Sequence, residues 1–209
     1  MLDETIFQNI LAAALAGLAI LRIYYRIKSG AFRESQFTER ESNWFLVLGI
    51  PTSLTWLGSL LVWIANPEWM RWSALSLPTW LRWSGAGLMV FALVAWGWVH
   101  HTLGTNFSPT LVVRNHHQLV RHGLYRWVRH PMYSAFFLFE LGICLLTASW
   151  FIGLIGNLLI LLIVVLRVPE EEAMMIETFG DQYREYMKHT GSLIPLAIKK
   201  ECDLSDVNF

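Results

Sequence analysis

The feature of the sequence that most constrains its fold is a series of five apolar segments, each close to the length of a membrane-crossing helix. They cover roughly residues 6–25, 44–65, 81–99, 131–148 and 150–168. A helix needs about 20 mostly apolar residues to cross the hydrocarbon core of a bilayer, where it must satisfy its own backbone hydrogen bonds. Charged residues make up only 15% of the 209 residues, against roughly 25% in soluble domains. The sequence therefore predicts an all-α integral membrane protein with about five transmembrane helices.

The last two apolar segments are separated by only one or two residues around Ser149. Two helices joined so closely must run antiparallel, so a tight helical hairpin is predicted. The first residues, MLDETIFQN, are acidic, whereas a secretory signal peptide begins with basic residues. Cys144 and Cys202 lie far apart without a disulfide or zinc spacing, and they are interpreted as unpaired thiols.

The distribution of Lys and Arg predicts the orientation, because short cytoplasmic loops carry an excess of both. The N-terminal tail has none, and most lie after the first, third and fifth segments, at Arg26, Lys28, Arg33, Arg40, Arg114, Arg121, Arg126, Arg129, Arg184, Lys188, Lys199 and Lys200. The N-terminus is therefore expected outside and the C-terminus in the cytosol. Arg71 and Arg82 oppose this pattern, in a loop whose tryptophans are interpreted as membrane-interface anchors, namely Trp63, Trp69, Trp72, Trp80 and Trp83. The net charge of zero gives no indication of a nucleic-acid partner.

Two polar segments, residues 100–133 and 167–195, are expected at the same cytosolic face. In the second, Pro169 and the acidic run 170–172 suit the start of a helix. An apolar face at spacings of three and four predicts an amphipathic helix that includes Gly180, with Met175, Phe179, Tyr183, Tyr186 and Met187 on that face. On a continuous helix Arg167 and Glu171 would share a face, although Pro169 lies between them. The alternative is that Arg167 only reaches the membrane surface and Glu171 only matches the helix dipole.

The first polar segment contains the sequence LYRWVRHPMY, Leu124 to Tyr133. Pro131 can begin a helix, which would hold the ring of His130 near the headgroup level. Tyr125 and Tyr133 add aromatic surfaces with hydroxyl groups. These residues fit either a polar binding pocket or a set of interfacial anchors. His116 and His117 are not expected to bind a metal, because adjacent side chains point in different directions and no carboxylate lies at ligand spacing.

The order LGTNFS, HHQLVRHGLYRWVRHPMY and RVPEEEAMMIETFGDQYREYMKHTGSLIP resembles the isoprenylcysteine carboxyl methyltransferase family of integral membrane enzymes. Membrane phospholipid methyltransferases share a looser version of this pattern. The resemblance covers residues 103–195. It implies one membrane methyltransferase domain over residues 1–209, with three N-terminal spans in 1–102, a catalytic region in 103–195 and a tail in 196–209.

The resemblance also implies a cofactor, S-adenosylmethionine, in a pocket that faces the cytosol. The residues implied to hold it are His117, Gln118, Leu119, Val120, Tyr125, His130, Pro131, Met132, Tyr133 and Glu171. Arg167 matches the arginine that faces the methyl acceptor, and a further donor contact near Val112 and Val113 is not placed. The implied catalytic residues are Arg167 and Glu171. Pro169 stands where some relatives have an acidic residue, so that local charge is missing.

The expected reaction is transfer of a methyl group from the sulfonium of the donor to a lipophilic acceptor, foremost the carboxylate of an isoprenylcysteine-like or other prenylated substrate. A carboxylate is already ionised at neutral pH and needs no general base, whereas an amine would need one, and Glu171 is the candidate. Phospholipid amines and small hydrophobic acids or thiols stay open as acceptors. The alternatives from other classes are an NADPH-dependent sterol-type membrane reductase, which shares an R-H-x-x-Y element, and a membrane scaffold without catalytic activity. Membrane lipids are expected partners, and neither a metal nor a nucleic acid is.

Overall fold

A computed structural model describes residues 2–28, 45–104 and 119–196, and all of its named elements are helical. Helix α1 spans Leu2–Lys28, a π-helical turn at Phe45–Gly49 leads into α2 at Ile50–Ala65, and α3 spans Thr79–Leu103. Helix α4 spans Pro131–Thr147, α5 spans Trp150–Phe179 and α6 spans Asp181–His189. Short 3-10 helices lie at Pro67–Ser73 and Gly123–Arg126.

Helices α1, α3 and α5 are long and apolar enough to cross a membrane, and so is α2 when the end of the preceding π-helical turn is included (Val47–Ala65), while α4 is an apolar helix of 17 residues. This is an all-helical membrane protein with four to five apolar helices, as the sequence predicted. The predicted spans lie within these helices or within a residue of them, apart from the start of the second, where Trp44 falls outside the described residues.

The predicted hairpin between α4 and α5 turns on two residues. Ala148 takes up a left-handed conformation with φ of 49°, and the hydroxyl of Ser149 accepts a hydrogen bond from the N–H of Ile152 at 3.4 Å, which caps α5. Helices α3 and α4 approach so closely that a β-carbon on Gly85 would lie 2.7 Å from the carbonyl oxygen of Gly142. Small residues at such crossings let membrane helices pack backbone to backbone.

The core lies where α1, α2, α3 and α4 meet the start of α5. Its fully buried side chains include Phe7, Leu11, Leu60, Met89, Phe139, Ile143, Leu146 and Ile152. Trp63, predicted as an interface anchor, is only 3% exposed and packs in this core. It differs from Trp69, Trp72, Trp80 and Trp83, which are exposed as predicted, because its position on α2 faces the other helices.

Arg82, one of the two charges that opposed the predicted orientation, has a specific local role. Its Nη2 donates to Glu4 at 2.9 Å and its Nε donates to the carbonyl oxygen of Leu146 at 2.9 Å. The guanidinium therefore ties the start of α1 to the end of α4. A charge with these partners is explained by packing and does not need a cytosolic location.

The predicted amphipathic helix through Gly180 is wrong in its boundaries. Helix α5 continues through Pro169 and ends at Phe179. Gly180, with φ of 55°, interrupts the helical conformation, and α6 begins at Asp181. Glycine takes up positive φ without the steric cost other residues meet, and membrane helices tolerate an internal proline when neighbouring groups make up for the lost bond. At about 1.5 Å per residue, α5 is longer than the hydrocarbon core is thick, so its last turns extend past the apolar part.

Candidate functional site

The segment before α4 is held in place by the segment after α6. The N–H of Arg129 donates to Gly191 at 2.8 Å, the N–H of His130 donates to Ser192 at 2.9 Å, and the N–H of Gly191 donates to Trp127 at 3.3 Å. A β-carbon on Gly191 would overlap the carbonyl oxygen of Ile194, so this tight turn needs glycine. Two segments distant in sequence thus fix the backbone beneath the two side chains Arg129 and His130.

Glu171 lies at the centre of the cluster that these elements build. Its Oε1 accepts a hydrogen bond from the hydroxyl of Tyr133 at 2.7 Å and another from Nε of Arg167 at 2.9 Å. Its Oε2 lies 3.3 Å from Nδ1 of His130. Because α5 is continuous through Pro169, Arg167 and Glu171 pair across one helical turn, which is one of the two arrangements that their spacing left open.

A second carboxylate, Glu172, lies next to the first along α5. Its Oε1 accepts from Nε of Arg129 at 2.8 Å and lies 3.1 Å from Nε2 of His130. Nη1 of Arg129 also donates to the main-chain carbonyls of Met187, at 3.2 Å, and of Thr190. Arg129 therefore joins the segment before α4, the end of α5 and the end of α6.

The ring of His130 bridges the two carboxylates, since each of its nitrogens faces one of them. A neutral imidazole carries one N–H, and only the doubly protonated ring donates at both nitrogens. Burial works against the charged ring, but the hydrogen bonds and negative charges of Glu171 and Glu172 outweigh it and raise the pKa of His130. The geometry and the pKa shift both favour the imidazolium.

Three tyrosines lie near this cluster, Tyr183 and Tyr186 on α6 and Tyr125 in the 3-10 helix before α4. The hydroxyl of Tyr186 donates to the main-chain carbonyl of Tyr125, and Tyr183 and Tyr186 are buried. Burial raises the pKa of the Tyr125 phenol, and the nearby Tyr186 and Glu171 add to that shift. Burial likewise raises the pKa of Tyr186 to about 12. These phenols stay protonated at neutral pH, and the Tyr186 hydroxyl joins α6 to the segment before α4.

The structure brings together four of the predicted site residues in direct contact, Tyr133, His130, Arg167 and Glu171. Tyr125 is near enough for the charge of Glu171 to act on its phenol. The other predicted residues are placed as follows: Pro131 is buried in the first turn of α4, Met132, Leu119 and Val120 are half-buried, and His117 and Gln118, like Val112, Val113 and His116, lie outside the described residues.

Reasoning from the sequence missed Arg129 and Glu172. Neither is among the predicted site residues, although Arg129 lies in the quoted LYRWVRHPMY segment and Glu172 in the acidic run that suits a helix start. The available signal was that two neighbouring basic residues, Arg129 and His130, precede α4, while a run of three acids (residues 170–172) follows Arg167. Adjacent side chains diverge, so such a doublet can serve two partners at once, but the pairing itself depends on a long-range contact.

Comparison with known proteins matches the region that carries this cluster. Residues 85–177 match the model of the isoprenylcysteine carboxyl methyltransferase family. A protein-S-isoprenylcysteine O-methyltransferase of Schizosaccharomyces pombe is 36% identical over 95 residues, which are 44% of this chain and 40% of that protein. Its human counterpart is 33% identical over 107 residues, or 49% of this chain and 37% of that protein. Each matched segment spans less than half of the relative's own length.

The fold is similar to that of a solved structure of the eukaryotic intramembrane Ras methyltransferase, an isoprenylcysteine carboxyl methyltransferase. The TM-score is 0.58 at 20% sequence identity, covering 90% of this chain and 66% of that one. This likeness confirms the predicted architecture, a multi-pass integral membrane protein made of helices. Over residues 85–177, which include His130, Tyr133, Arg167 and Glu171, the chain is similar to the isoprenylcysteine carboxyl methyltransferase family.

Proposed function

We propose that the protein transfers a methyl group from S-adenosylmethionine to the carboxylate of a lipophilic, isoprenylcysteine-like acceptor. The observation that carries the proposal is the contact of Arg167, Tyr133 and His130 with Glu171, within the segment that matches the methyltransferase family. One cluster thus combines a cationic group suited to a carboxylate with an anionic and aromatic surface suited to a cationic nucleoside. It lies at the ends of apolar helices, next to the region where a lipid tail would be dissolved.

The residues present fit the donor chemically. S-adenosylmethionine supplies a methyl group on a positively charged sulfur, together with an adenine ring and an ammonium group. Glu171 provides an anionic oxygen pair, and the rings of His130 and Tyr133 lie with their centroids 6.0 Å apart. Tyr125, Met132 and Pro131 border the same helix start, and with Leu119 and Val120 they complete the part of the proposed donor site within the described residues.

Arg167 is proposed to orient the acceptor. Glu171 holds its Nε at 2.9 Å, which fixes the plane of the guanidinium. A planar guanidinium matches a carboxylate through two parallel hydrogen bonds and so sets the position of the attacking oxygen. The carboxylate is already ionised, so no residue needs to remove a proton, and the catalytic contribution is positioning and exclusion of water.

We extend the proposal to the topology and the domain. Residues 1–209 form one membrane methyltransferase domain, in which the N-terminus is outside and the cluster faces the cytosol. The basic residues after the first, third and fifth apolar segments support this orientation. The hydrophobic cargo of the acceptor would approach from the bilayer, while the donor would enter from water.

The test is a transfer assay with the purified protein in lipid vesicles and donor labelled with tritium on the methyl group. The acceptors are a prenylcysteine analogue with a free carboxylate, the same analogue with that group as an amide, and a phospholipid with an amine headgroup. Label on the first alone, with the methyl ester identified by mass, supports the proposal. Label on the phospholipid alone would move the acceptor to an amine, and no label on any acceptor would contradict the proposal.

The role of Arg167 is tested by Arg167→Ala. Because the side chain is proposed to face the acceptor, turnover should fall by about a thousandfold. Binding of S-adenosylhomocysteine, measured as a shift of the melting temperature in detergent, should persist. The matched control is Arg184→Ala, which removes an exposed arginine on α6 that pairs with Asp181. Equal activity in both variants would remove Arg167 from the site, and stabilisation by NADPH instead of S-adenosylhomocysteine would favour the reductase.

A further inference from the structure

Glu172 accepts from Arg129 and from His130, while the carboxylate proposed to meet the donor is Glu171. The two carboxylates are neighbours on α5, and the ring of His130 spans the gap between them, 3.3 Å from Glu171 and 3.1 Å from Glu172. The orientation of that ring is therefore set by both acids. The backbone of His130 is held separately, by the hydrogen bond from its main-chain N–H to the carbonyl oxygen of Ser192.

We propose that Glu172 is a positioning residue, which together with Arg129 holds the ring of His130 in the orientation that presents Nδ1 to Glu171. This inference rests on the proposed function, which assigns Glu171 to the donor site. Glu172 itself acts at one remove, because its hydrogen-bond partners are Arg129 and His130. Removal of its charge leaves the ring with one carboxylate partner instead of two.

The charged and titratable groups that surround His130 come from every neighbouring element. Arg129 precedes it in the chain, Tyr133 lies on α4, and three charged groups lie on α5. Tyr183 lies on α6, and the charges of Glu172, Arg129 and Glu171 act on the pKa of its phenol. The members on α5 are Arg167, Glu171 and Glu172. Between these groups the ring is 9% exposed, so its charge is balanced by its neighbours and only weakly by water.

The direction of the pH effect follows from the raised pKa of His130. The stabilising contacts of the imidazolium are fully present below the ordinary imidazole value and are lost as the pH rises through the raised value. Glu172→Gln removes one of the two negative charges that raise it, while the amide oxygen still accepts a hydrogen bond. The loss of the imidazolium should therefore occur at lower pH in this variant than in the parent.

The experiment follows the ring nitrogens of His130 by NMR in detergent with nitrogen-15 histidine, the signal being assigned by its disappearance in His130→Gln. The parent should show both nitrogens protonated at neutral pH, and Glu172→Gln should lose one proton at lower pH than the parent does. The control is Glu177→Gln, which makes the same charge change at an exposed position of the same helix and should titrate like the parent. A parent ring that is neutral at neutral pH, or equal titration of Glu172→Gln and the parent, would overturn the proposal.

A second readout connects the ring to the proposed function. Glu172→Gln should bind S-adenosylhomocysteine about tenfold more weakly than the parent, as expected for loss of one charge-assisted hydrogen bond, and Glu177→Gln should bind it like the parent. If the ring titrates as expected but neither the parent nor the variants bind this ligand, the positioning role stands and the proposed function fails. If Glu172→Gln does not fold, the parent protein decides: a doubly protonated His130 ring at neutral pH supports the proposal, and a neutral ring overturns it.

Discussion

Glu140 and Glu171 are both largely hidden from solvent, but their surroundings differ in kind. Glu140 lies in the middle of α4, 4% exposed, and its Oε2 accepts one hydrogen bond, from the indole N–H of Trp56 at 3.0 Å. Glu171 lies near the end of α5 and meets Arg167, His130 and Tyr133. Among the described residues no basic side chain forms an ion pair with Glu140.

The difference separates an acid that joins helices, Glu140, from the acid that we propose binds the methyl donor, Glu171. Glu140 and Trp56 meet over Gly156 of α5, where an added β-carbon would overlap the Glu140 carboxylate oxygen and lie 2.8 Å from the indole nitrogen of Trp56. One neutral donor in an apolar niche makes a packing contact that links α2, α4 and α5. Two cationic groups and a phenol around a carboxylate at the end of a helix make a site that favours charge and can exchange partners with a ligand.

Among the variants that test this comparison of Glu171 with Glu140, Glu171→Gln should have the largest effect. The amide keeps the shape but loses the charge that holds Arg167 and His130, so transfer should fall by about a hundredfold or more, with weaker donor binding. The measurement is initial rate and S-adenosylhomocysteine affinity on folded protein. Activity within a factor of three of the parent would mean that Glu171 is not the functional acid of the pair.

A stability effect of intermediate size is expected from Gly156→Val. The larger side chain cannot share the niche with the carboxylate of Glu140, so α2 and α5 must separate or Glu140 must move. Overpacking of this kind costs about 1–3 kcal/mol, measured as a lower melting temperature in detergent. Gly87→Val is the matched control, since a β-carbon at Gly87 meets nothing within 4 Å. Equal melting temperatures for the two variants would contradict the close packing at Gly156.

The smallest effect is expected from Glu140→Gln. The amide oxygen still accepts from Trp56 and brings no charge into the bilayer, so the free energy of unfolding should change by less than about 1 kcal/mol, and the transfer rate per folded molecule should stay unchanged. Trp56→Phe removes the donor and should cost more, about 1–3 kcal/mol. A large loss of activity in Glu140→Gln with normal stability would show that this acid also takes part in the reaction.

The sequence predicted those parts of the fold that depend on local composition. The apolar lengths and the short link at Ser149 predicted the helices and the hairpin, because both depend on local composition and chain length. The end of α5 was not predictable in the same way. Pro169 followed by three acids is typical of a new helix, yet packing against the segment around Arg129 lets α5 run on to Phe179.

In the candidate site, contacts within one helix were predictable from the sequence and contacts between distant segments were not. The pairing of Arg167 with Glu171 follows from a spacing of four on one helix, so the sequence pointed to it. The contacts of Arg129 with Glu172 and with the segment at Thr190 join residues more than 40 positions apart and have no periodic pattern. Glu140 had no signal beyond being an acid in an apolar run, and its partner Trp56 lies 84 residues away.

The central claim is that residues near 130 and residues near 170 form one donor-binding site. The most direct measurement is a double-mutant cycle with Tyr133→Phe and Glu171→Gln, read as the affinity for S-adenosylhomocysteine in detergent. Because the two side chains share a hydrogen bond of 2.7 Å, their effects on binding should be non-additive by about 1 kcal/mol or more. Additive effects, or a parent protein that does not bind this ligand, would contradict the claim.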